Sequence, residues 1–320
     1  MTDQESTPVV ERPASRGLLL AALSLVWMAA MLFSARVTIT GTGGLGAEME
    51  VTSTAYALPG AVSAALVTGI AVALAVLGLV ARRHTPGPSV RFAIATGSGL
   101  VVGLLGALVV VTINTDGWLY AVVGGSIAAA ATIGGALAGF RIPRVLAAVC
   151  WASIAVFVVG FVLNIFETPV LNALGAGDSE QSQTSAAQWF SFAQPLLSGV
   201  AAGIVAFRLL RRARRQAGAD VAPAFYFLAG GGPGLLLLVG EALTRTAGGK
   251  VLDLAGKVSV LEQTVQKLLS GARINSALIV LVAGAFVAAL LFGLGIKPAP
   301  EEEDDKQDES EPATADHAAG

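Results

Sequence analysis

Three polar side chains lie inside segments that are otherwise apolar, namely Asn164, Gln194 and Glu241. Two amides and a carboxylate can donate and accept hydrogen bonds, and the carboxylate can also bind a cation or exchange a proton. Each lies in the same predicted outer portion of its segment, so the three could form a small polar pocket. Alternatively, they make hydrogen bonds between helices, each worth about 1 kcal/mol.

The sequence carries no recognisable catalytic pattern beyond these residues. G-x-S-x-G, H-E-x-x-H and suitably spaced carboxylate pairs are all missing. The glycine run at residues 230–234 lacks the Lys-Ser/Thr of a phosphate loop. Cys150 is the single cysteine, and His84 and His317 lie in a loop and a tail without metal-ligand spacing. We therefore expect no enzymatic activity, no cofactor, no metal site and no nucleic-acid partner.

The elements that must position these residues are apolar helices. The chain is 54% hydrophobic and 13% charged, with a mean hydropathy of +0.73, whereas an ordinary soluble domain is about 25% charged. Several apolar runs reach the roughly 20 residues that cross a bilayer. They are continuous rather than alternating, which excludes a transmembrane barrel. The composition predicts an all-α, polytopic transmembrane helix bundle embedded in lipid.

The apolar runs divide the chain into about eight spans within a transmembrane domain at residues 17–296. A polar tail at residues 1–16 precedes this domain and an acidic tail at residues 297–320 follows it. Both tails are too poor in apolar residues to fold alone, so we expect them to be disordered. The predicted spans are residues 17–35, 57–81, 92–113, 118–140, 145–166, 189–210, 221–243 and 274–296.

Arginine distribution predicts the orientation of the bundle. The short loops at residues 82–91, 141–144 and 208–215 hold ten arginines, and the long loops at 36–56 and 167–188 hold one. Because cytoplasmic loops are enriched in Lys and Arg, both termini should be cytoplasmic. We expect the protein in the cytoplasmic membrane of a bacterium.

The first long loop, residues 36–56, has alternating β-branched residues on both sides of a glycine-rich centre. Alternation over four to eight residues is typical of a strand, so we predict a β-hairpin or an extended loop there. The second long loop, residues 167–188, is rich in Gly, Ser, Gln and acidic residues and is predicted to be irregular.

The first pair of spans resembles that of small actinobacterial membrane proteins whose genes lie beside tryptophan genes. The residues that carry the likeness are Trp27, the SARVTIT run at 34–40, the VTST run at 51–54, and Arg82 with Arg83. The likeness is confined to this part of the chain and includes no functional motif. It therefore implies no activity.

A heptad pattern at residues 250–270 stands out from the apolar spans. Valine fills the first core position and leucine the second, the combination that favours two parallel strands. The segment covers about three heptads, the lower limit for a coiled coil. The core positions are Val251, Leu254, Val258, Leu261, Val265 and Leu268.

Two interpretations of this segment remain open. It is either a seam for a homodimer or a partner helix, or an extracytoplasmic amphipathic helix that lies on the membrane or the bundle. Whether the heptad segment lies on the inner or the outer side of the membrane depends on whether span seven crosses the bilayer completely. If the glycine run at 230–234 turns the chain back, the heptad segment lies inside; we expect a full crossing instead.

Spans one to four and spans five to eight have the same arrangement. In each set a long outer loop follows the first helix and a basic inner boundary follows the second. This suggests a four-plus-four repeat, although the heptad segment has no counterpart in the first half.

Two functions are compatible with these patterns. The first is a non-catalytic assembly or accessory subunit that makes contacts through the heptad segment and the acidic tail. The second is a permease or channel for a small or lipidic solute, with its site near span seven and the polar residues. The permease hypothesis predicts that Glu241→Ala or Pro233→Ala abolishes uptake while assembly persists.

Overall fold

A computed structural model describes residues 13–42, 47–83, 86–112, 118–177, 179–217, 222–258 and 260–294. Within these ranges the chain forms ten helices and no strand. The helices are α1 (Pro13–Thr42), α2 (Ala47–Val80), α3 (Pro88–Val111), α4 (Trp118–Ala138), α5 (Pro143–Ile165), α6 (Glu167–Ala173), α7 (Glu180–Ala217), α8 (Pro223–Thr246), α9 (Gly249–Val258) and α10 (Val260–Leu294).

Eight of the described helices are long and apolar enough to cross a membrane, which confirms the prediction of an all-α, eight-span bundle. The two short helices, α6 and α9, lie between spans. The candidate spans are Gly17–Thr40, Met49–Val80, Pro88–Val111, Trp118–Ala138, Pro143–Ile165, Glu180–Gln216, Pro223–Thr246 and Leu261–Leu294. Several are longer than predicted because the flanking polar residues continue the same helices.

The predicted β-hairpin at residues 36–56 is wrong. Helix α1 continues to Thr42 and α2 begins at Ala47, so the described part of this segment is helical. The threonines of the alternating run adapt to the helix by bonding to the preceding turn. Thr38 Oγ1 donates to the Ser34 carbonyl at 2.9 Å and Thr40 Oγ1 to the Arg36 carbonyl at 2.8 Å. Continuation of two long apolar helices overrides the strand preference of these residues.

The second predicted loop, residues 167–188, is also largely helical. It contains α6, and α7 already begins at Glu180. Ser182 supports the turn between them, because its hydroxyl accepts from the Gly177 backbone N–H at 3.0 Å.

The heptad segment does not form one separate amphipathic helix. Its first part is α9, and its second part forms the first turns of α10, which continues into span eight. Val251 and Ala255 of α9 are completely buried. Helix α9 packs against α2, α4 and α8 as well as α10. Packing against the bundle therefore buries heptad positions of α9 that a coiled-coil seam would need.

Span seven is a continuous helix, as expected for a full crossing. The glycine run of α8 serves close packing. A Cβ at Gly230 would collide with the Gly284 carbonyl of α10, and one at Gly232 would lie 2.5 Å from Val149 of α5. Small residues allow this backbone approach in membrane helices.

The bundle consists of two groups of four spans. In the first group α1 packs on α2, α2 on α3 and α4, and α3 on α4. The second group repeats this order with α5, α7, α8 and α10. The groups meet where α1 and α2 face α5 and α8. A common origin of the halves remains a prediction, and the shared packing order supports it.

Candidate functional site: a cavity between the two halves

A cavity of about 380 Å³ lies where the two halves meet. Helices α1 and α2 form one side, and α5, α8 and α10 form the other. Most of its surface is apolar, including Met31, Val67, Val156, Phe157, Leu236 and Leu237. Its volume is within the roughly 300–1,000 Å³ range of small-molecule sites.

Glu241 and Arg273 are the charged residues among those that line the cavity. Arg273 Nε donates to Glu241 Oε2 at 2.8 Å, and Glu241 is only 5% exposed. Arg245, one turn along α8, donates from Nε to Glu241 Oε1 at 3.1 Å. Ser270 donates to the same oxygen and accepts from Arg245 Nε at 2.9 Å. We call these four residues the Glu241 network.

The Glu241 network connects two helices, and its residues line two separate openings in the protein. Glu241 and Arg245 belong to α8, and Ser270 and Arg273 belong to α10. Glu241 and Arg273 line the cavity, whereas Arg245 and Ser270 line a separate groove. The network therefore lies between the cavity and the groove.

The groove lies between α9 and the first turns of α10, and we call this end of the bundle the α9 end. It has a volume of about 530 Å³ and is lined by charged and amide side chains as well as the network residues. Gln266 is 8% exposed, and its Oε1 accepts no hydrogen bond within the described ranges. The further polar lining residues are Asp253, Lys257, Gln263, Gln266 and Lys267.

Trp27 is a further polar residue in the lining of the cavity. It is 9% exposed and stacks on Phe157, with ring centroids 4.8 Å apart. Its Nε1 has no hydrogen-bond partner among the described residues, and the same holds for Nη2 of Arg273. A buried N–H without an acceptor is costly. Both donors belong to residues that line the cavity, and neighbouring protein atoms cover the two nitrogens themselves.

Packing contacts place Trp27 close to the depth of the Glu241 network. Two contacts between α1 and α2 lie on either side of Trp27. The Ser24 carbonyl accepts a hydrogen bond from Thr68, and Met31 packs against Gly60. Trp27 is therefore level with the middle of that α2 stretch. Gly240 of α8 faces Ser63 in the same stretch. Trp27 and Glu241 therefore line the cavity at a similar level, on helices of opposite halves of the bundle.

The predicted pocket of Asn164, Gln194 and Glu241 is not assembled in this cavity. Gln194 Nε2 donates to the Gly160 carbonyl at 3.4 Å, a contact between α7 and α5. Asn164 is exposed near the end of α5, and neither amide lines the cavity. Glu241 is joined by Arg245, Ser270 and Arg273 instead.

Sequence reasoning missed these partners of Glu241. The spacing of Glu241 and Arg245, four residues apart on a predicted helix, is a signal for that pair. Ser270 and Arg273 lie at the boundary between the heptad segment and span eight, where interfacial polar residues are ordinary. Trp27 carries no signal, because its unpaired N–H is visible only after packing is known.

The heptad residues occupy different environments. Val251 is completely buried, and Leu254 and Val265 are partly buried. Leu261 and Leu268 of α10 are 74% and 69% exposed. The side chain of Val258 lies outside the described residues. The heptad residues do not share one exposed seam. Leu261 and Leu268 of α10 are nevertheless exposed and can contact another helix.

Among the described residues no group of three or more His, Cys, Asp or Glu side chains could hold a metal ion. The chain matches no family model, no curated protein and no solved structure at a significant level. The resemblance of the first pair of spans thus gains no support from these comparisons.

Proposed function

We propose that this multi-pass protein is a permease that binds a small amphipathic solute in the cavity between its two halves. One observation carries the proposal. A mostly apolar, half-open cavity between apolar helices ends at an ion pair between the buried carboxylate of Glu241 and the partly exposed guanidinium of Arg273. Ionisable residues within a span are expensive, and they mark substrate or ion pathways in membrane proteins.

The shape of the cavity fits a molecule with one polar and one apolar end. Pro233 and Glu241 both line it, and they are separated by about 12 Å along α8 at the helical rise of ~1.5 Å per residue. Glu241 marks the polar end. The lining toward Pro233 is provided by Leu236 and Leu237 together with Val67. A solute would place its headgroup at Glu241 and Arg273 and its apolar part along these side chains.

The Glu241 network has the properties of a gate between cavity and groove. Arg245 is 47% exposed and Arg273 is 30% exposed, so neither pair is sealed from water. Partly exposed ion pairs are typically worth less than about 1 kcal/mol, which makes an exchange of partners inexpensive. Separation of α8 and α10 at this point would connect the cavity with the groove at the α9 end.

Quenching of Trp27 fluorescence tests whether the cavity binds an amphiphile. The protein contains four tryptophans, and the substitutions Trp118→Phe, Trp151→Phe and Trp189→Phe leave Trp27 as the single reporter. In phosphatidylcholine nanodiscs, a brominated single-chain amphiphile should quench it saturably. Ser276→Phe, which adds a ring inside the cavity, should abolish the saturable component.

Leu278→Phe provides the matched control, because Leu278 is on the same helix, is 45% exposed and does not line the cavity. It should leave the saturable quenching intact. Equal, non-saturable quenching in all three proteins would show that the probe reaches Trp27 only from bulk lipid, and would refute the cavity as a binding site.

An assembly or accessory subunit is the second candidate, and the exposure of Leu261 and Leu268 favours it. These leucines are one heptad apart on α10, ahead of the apolar part of span eight. In a Cys150→Ala background, Leu261→Cys should form a covalent dimer under a membrane-impermeant oxidant. Gln263→Cys, which faces the groove toward α9, should not. If the thiol introduced by Leu261→Cys is accessible but does not crosslink, a homodimer through this face is contradicted.

A further inference from the structure

The unpaired donors of the cavity define the headgroup that it accepts. We infer that the solute is a single-chain amphiphile with an anionic headgroup, bound by Arg273 and Trp27. This inference rests on the proposed function, because it assigns the chemical class of the molecule in the same cavity.

The charge of the Glu241 network favours an anion. Two guanidinium groups, Arg245 and Arg273, share one carboxylate, so the network carries one excess positive charge. Of the described residues that line the cavity, Glu241 is the only acid. An anionic headgroup would neutralise this excess, whereas a cation would increase it in a poorly hydrated site.

The hydrogen-bonding groups of the cavity lead to the same conclusion. Both carboxylate oxygens of Glu241 already accept, Oε1 from Arg245 and Ser270 and Oε2 from Arg273. The unpaired groups, Arg273 Nη2 and Trp27 Nε1, are both donors. A headgroup with acceptor oxygens satisfies both, whereas an ammonium headgroup would have to displace an arginine from Glu241.

Arginine is also suited to the headgroup by its geometry. Its Nε is occupied by Glu241, and Nη2 is a further donor of the same planar fork. Carboxylate and phosphate oxygens are the acceptors that this fork matches. Trp27 lines the cavity from α1 at a similar depth. Neighbouring protein atoms cover both nitrogens, so a headgroup oxygen would bridge the two halves of the bundle after a small rotation of the two side chains.

The rest of the cavity limits the molecule to one short apolar chain. Away from the donors the lining is mostly apolar and includes Val67, Leu236, Leu237 and Ala277. The polar exceptions are the hydroxyls of Ser63, Ser153 and Ser276. The Ser153 hydroxyl donates to the Val149 carbonyl at 2.9 Å within its own helix, so it requires no partner from the solute. An apolar chain of about 12 Å therefore fits beside these residues.

Headgroup selectivity tests the inference. Decanoate, decyl phosphate, decanol and decyltrimethylammonium would be titrated into the Trp27-only protein in phosphatidylcholine nanodiscs, in competition with a neutral brominated amphiphile. Both anions should bind about 10- to 100-fold more tightly than decanol, the range expected for hydrogen bonds to a charged group. The cation should bind most weakly. The ratio between decanoate and decyl phosphate separates a carboxylate from a phosphate headgroup.

Arg273→Gln should remove the preference for anions and leave decanol binding unchanged. Glu241 keeps Arg245 and Ser270 in this variant, so we expect the fold to persist. Arg273→Lys should retain part of the preference, because it keeps the charge without the planar fork. The matched control is Lys267→Gln, which removes a cation from the groove without changing the cavity lining or the Glu241 network. It should preserve the preference.

The possible failures of the inference and of the proposed function are distinguishable. If decanol binds as tightly as decanoate and Arg273→Gln changes nothing, the anionic headgroup is refuted while the cavity remains a binding site. Tightest binding of the cation would refute the inference in the same way. If none of the four amphiphiles displaces the probe, and the probe itself shows no saturable quenching, the proposed function fails as well.

Discussion

Helices α3 and α4 of the first half and α8 and α10 of the second form corresponding pairs with different roles. Both pairs are packed through glycine. A Cβ at Gly103 would lie 2.8 Å from Cα of Ala128, and one at Gly230 would collide with the Gly284 carbonyl. Of these two pairs, the second also carries an ion pair, Glu241 with Arg273.

This difference indicates that glycine packing supports the fold of both halves, whereas the ion pair is a feature of the second half. Close glycine packing recurs in both halves, so it belongs to the fold that they share. Within the described residues, the Glu241 network and helix α9 belong to the second half, beside the cavity. We therefore expect substitutions in the glycine contacts to affect folding in either half, and substitutions in the network to affect binding.

The largest effect is expected when the shared packing is broken. Gly103→Leu and Gly230→Leu should each cost about 3 kcal/mol of folding free energy, the upper end of the usual range for overpacking, because backbone must move to admit the side chain. Yield of monodisperse protein and the thermal unfolding midpoint measure this loss.

Gly125→Leu and Gly293→Leu are the matched controls, since a Cβ at either position meets nothing within 4 Å. Both should be tolerated. If Gly103→Leu were tolerated while Gly230→Leu was not, the two halves would not share this structural role.

A smaller effect on stability is expected at the Glu241 network. Glu241→Gln removes the charge that pairs with Arg245 and Arg273 and should lower the free energy of unfolding by about 1–3 kcal/mol. Adding Arg273→Gln should recover part of the loss, because one fewer cation is then left without a carboxylate. Thermal unfolding of the single and double variants measures this coupling, and strictly additive losses would argue against it.

The smallest effect is expected for Trp27→Phe, and it should separate binding from stability. The substitution keeps an aromatic ring against Phe157 and removes the unpaired N–H. Decanoate affinity, measured by calorimetry, should fall about 2- to 10-fold for one lost hydrogen bond. The unfolding midpoint should stay the same or rise. A lower midpoint with unchanged affinity would show that the indole N–H has a structural role only.

The sequence was sufficient to predict the eight spans, because continuous apolar runs leave a membrane chain few alternatives to helices. It failed at residues 36–56, where threonine alternation suggested strands. Hydroxyl bonds such as that from Thr40 to Arg36 are compatible with helix, and local alternation cannot reveal the continuation of the adjoining spans. The heptad pattern left open a seam or packing on the bundle, and Val251 of α9 is completely buried within the bundle.

The candidate site was predictable only in part. Glu241 was identifiable because a carboxylate inside an apolar run is unusual. Arg273 is 32 residues away in sequence, and Trp27 belongs to the other half of the bundle. Their proximity to Glu241 depends on how the two halves pack, which no local pattern specifies. Gln194 was assigned to the same pocket on depth alone, but it bonds to Gly160.

The location of bromine in crystals grown with a bromine-labelled decanoate tests the central claim most directly. Anomalous scattering reports the position of the bromine independently of any variant. We predict a peak inside the cavity between α1, α2, α5, α8 and α10, with the carboxylate against Arg273 and Trp27. Bromine peaks confined to the lipid-facing surface, with none in the cavity at saturating decanoate, would contradict it.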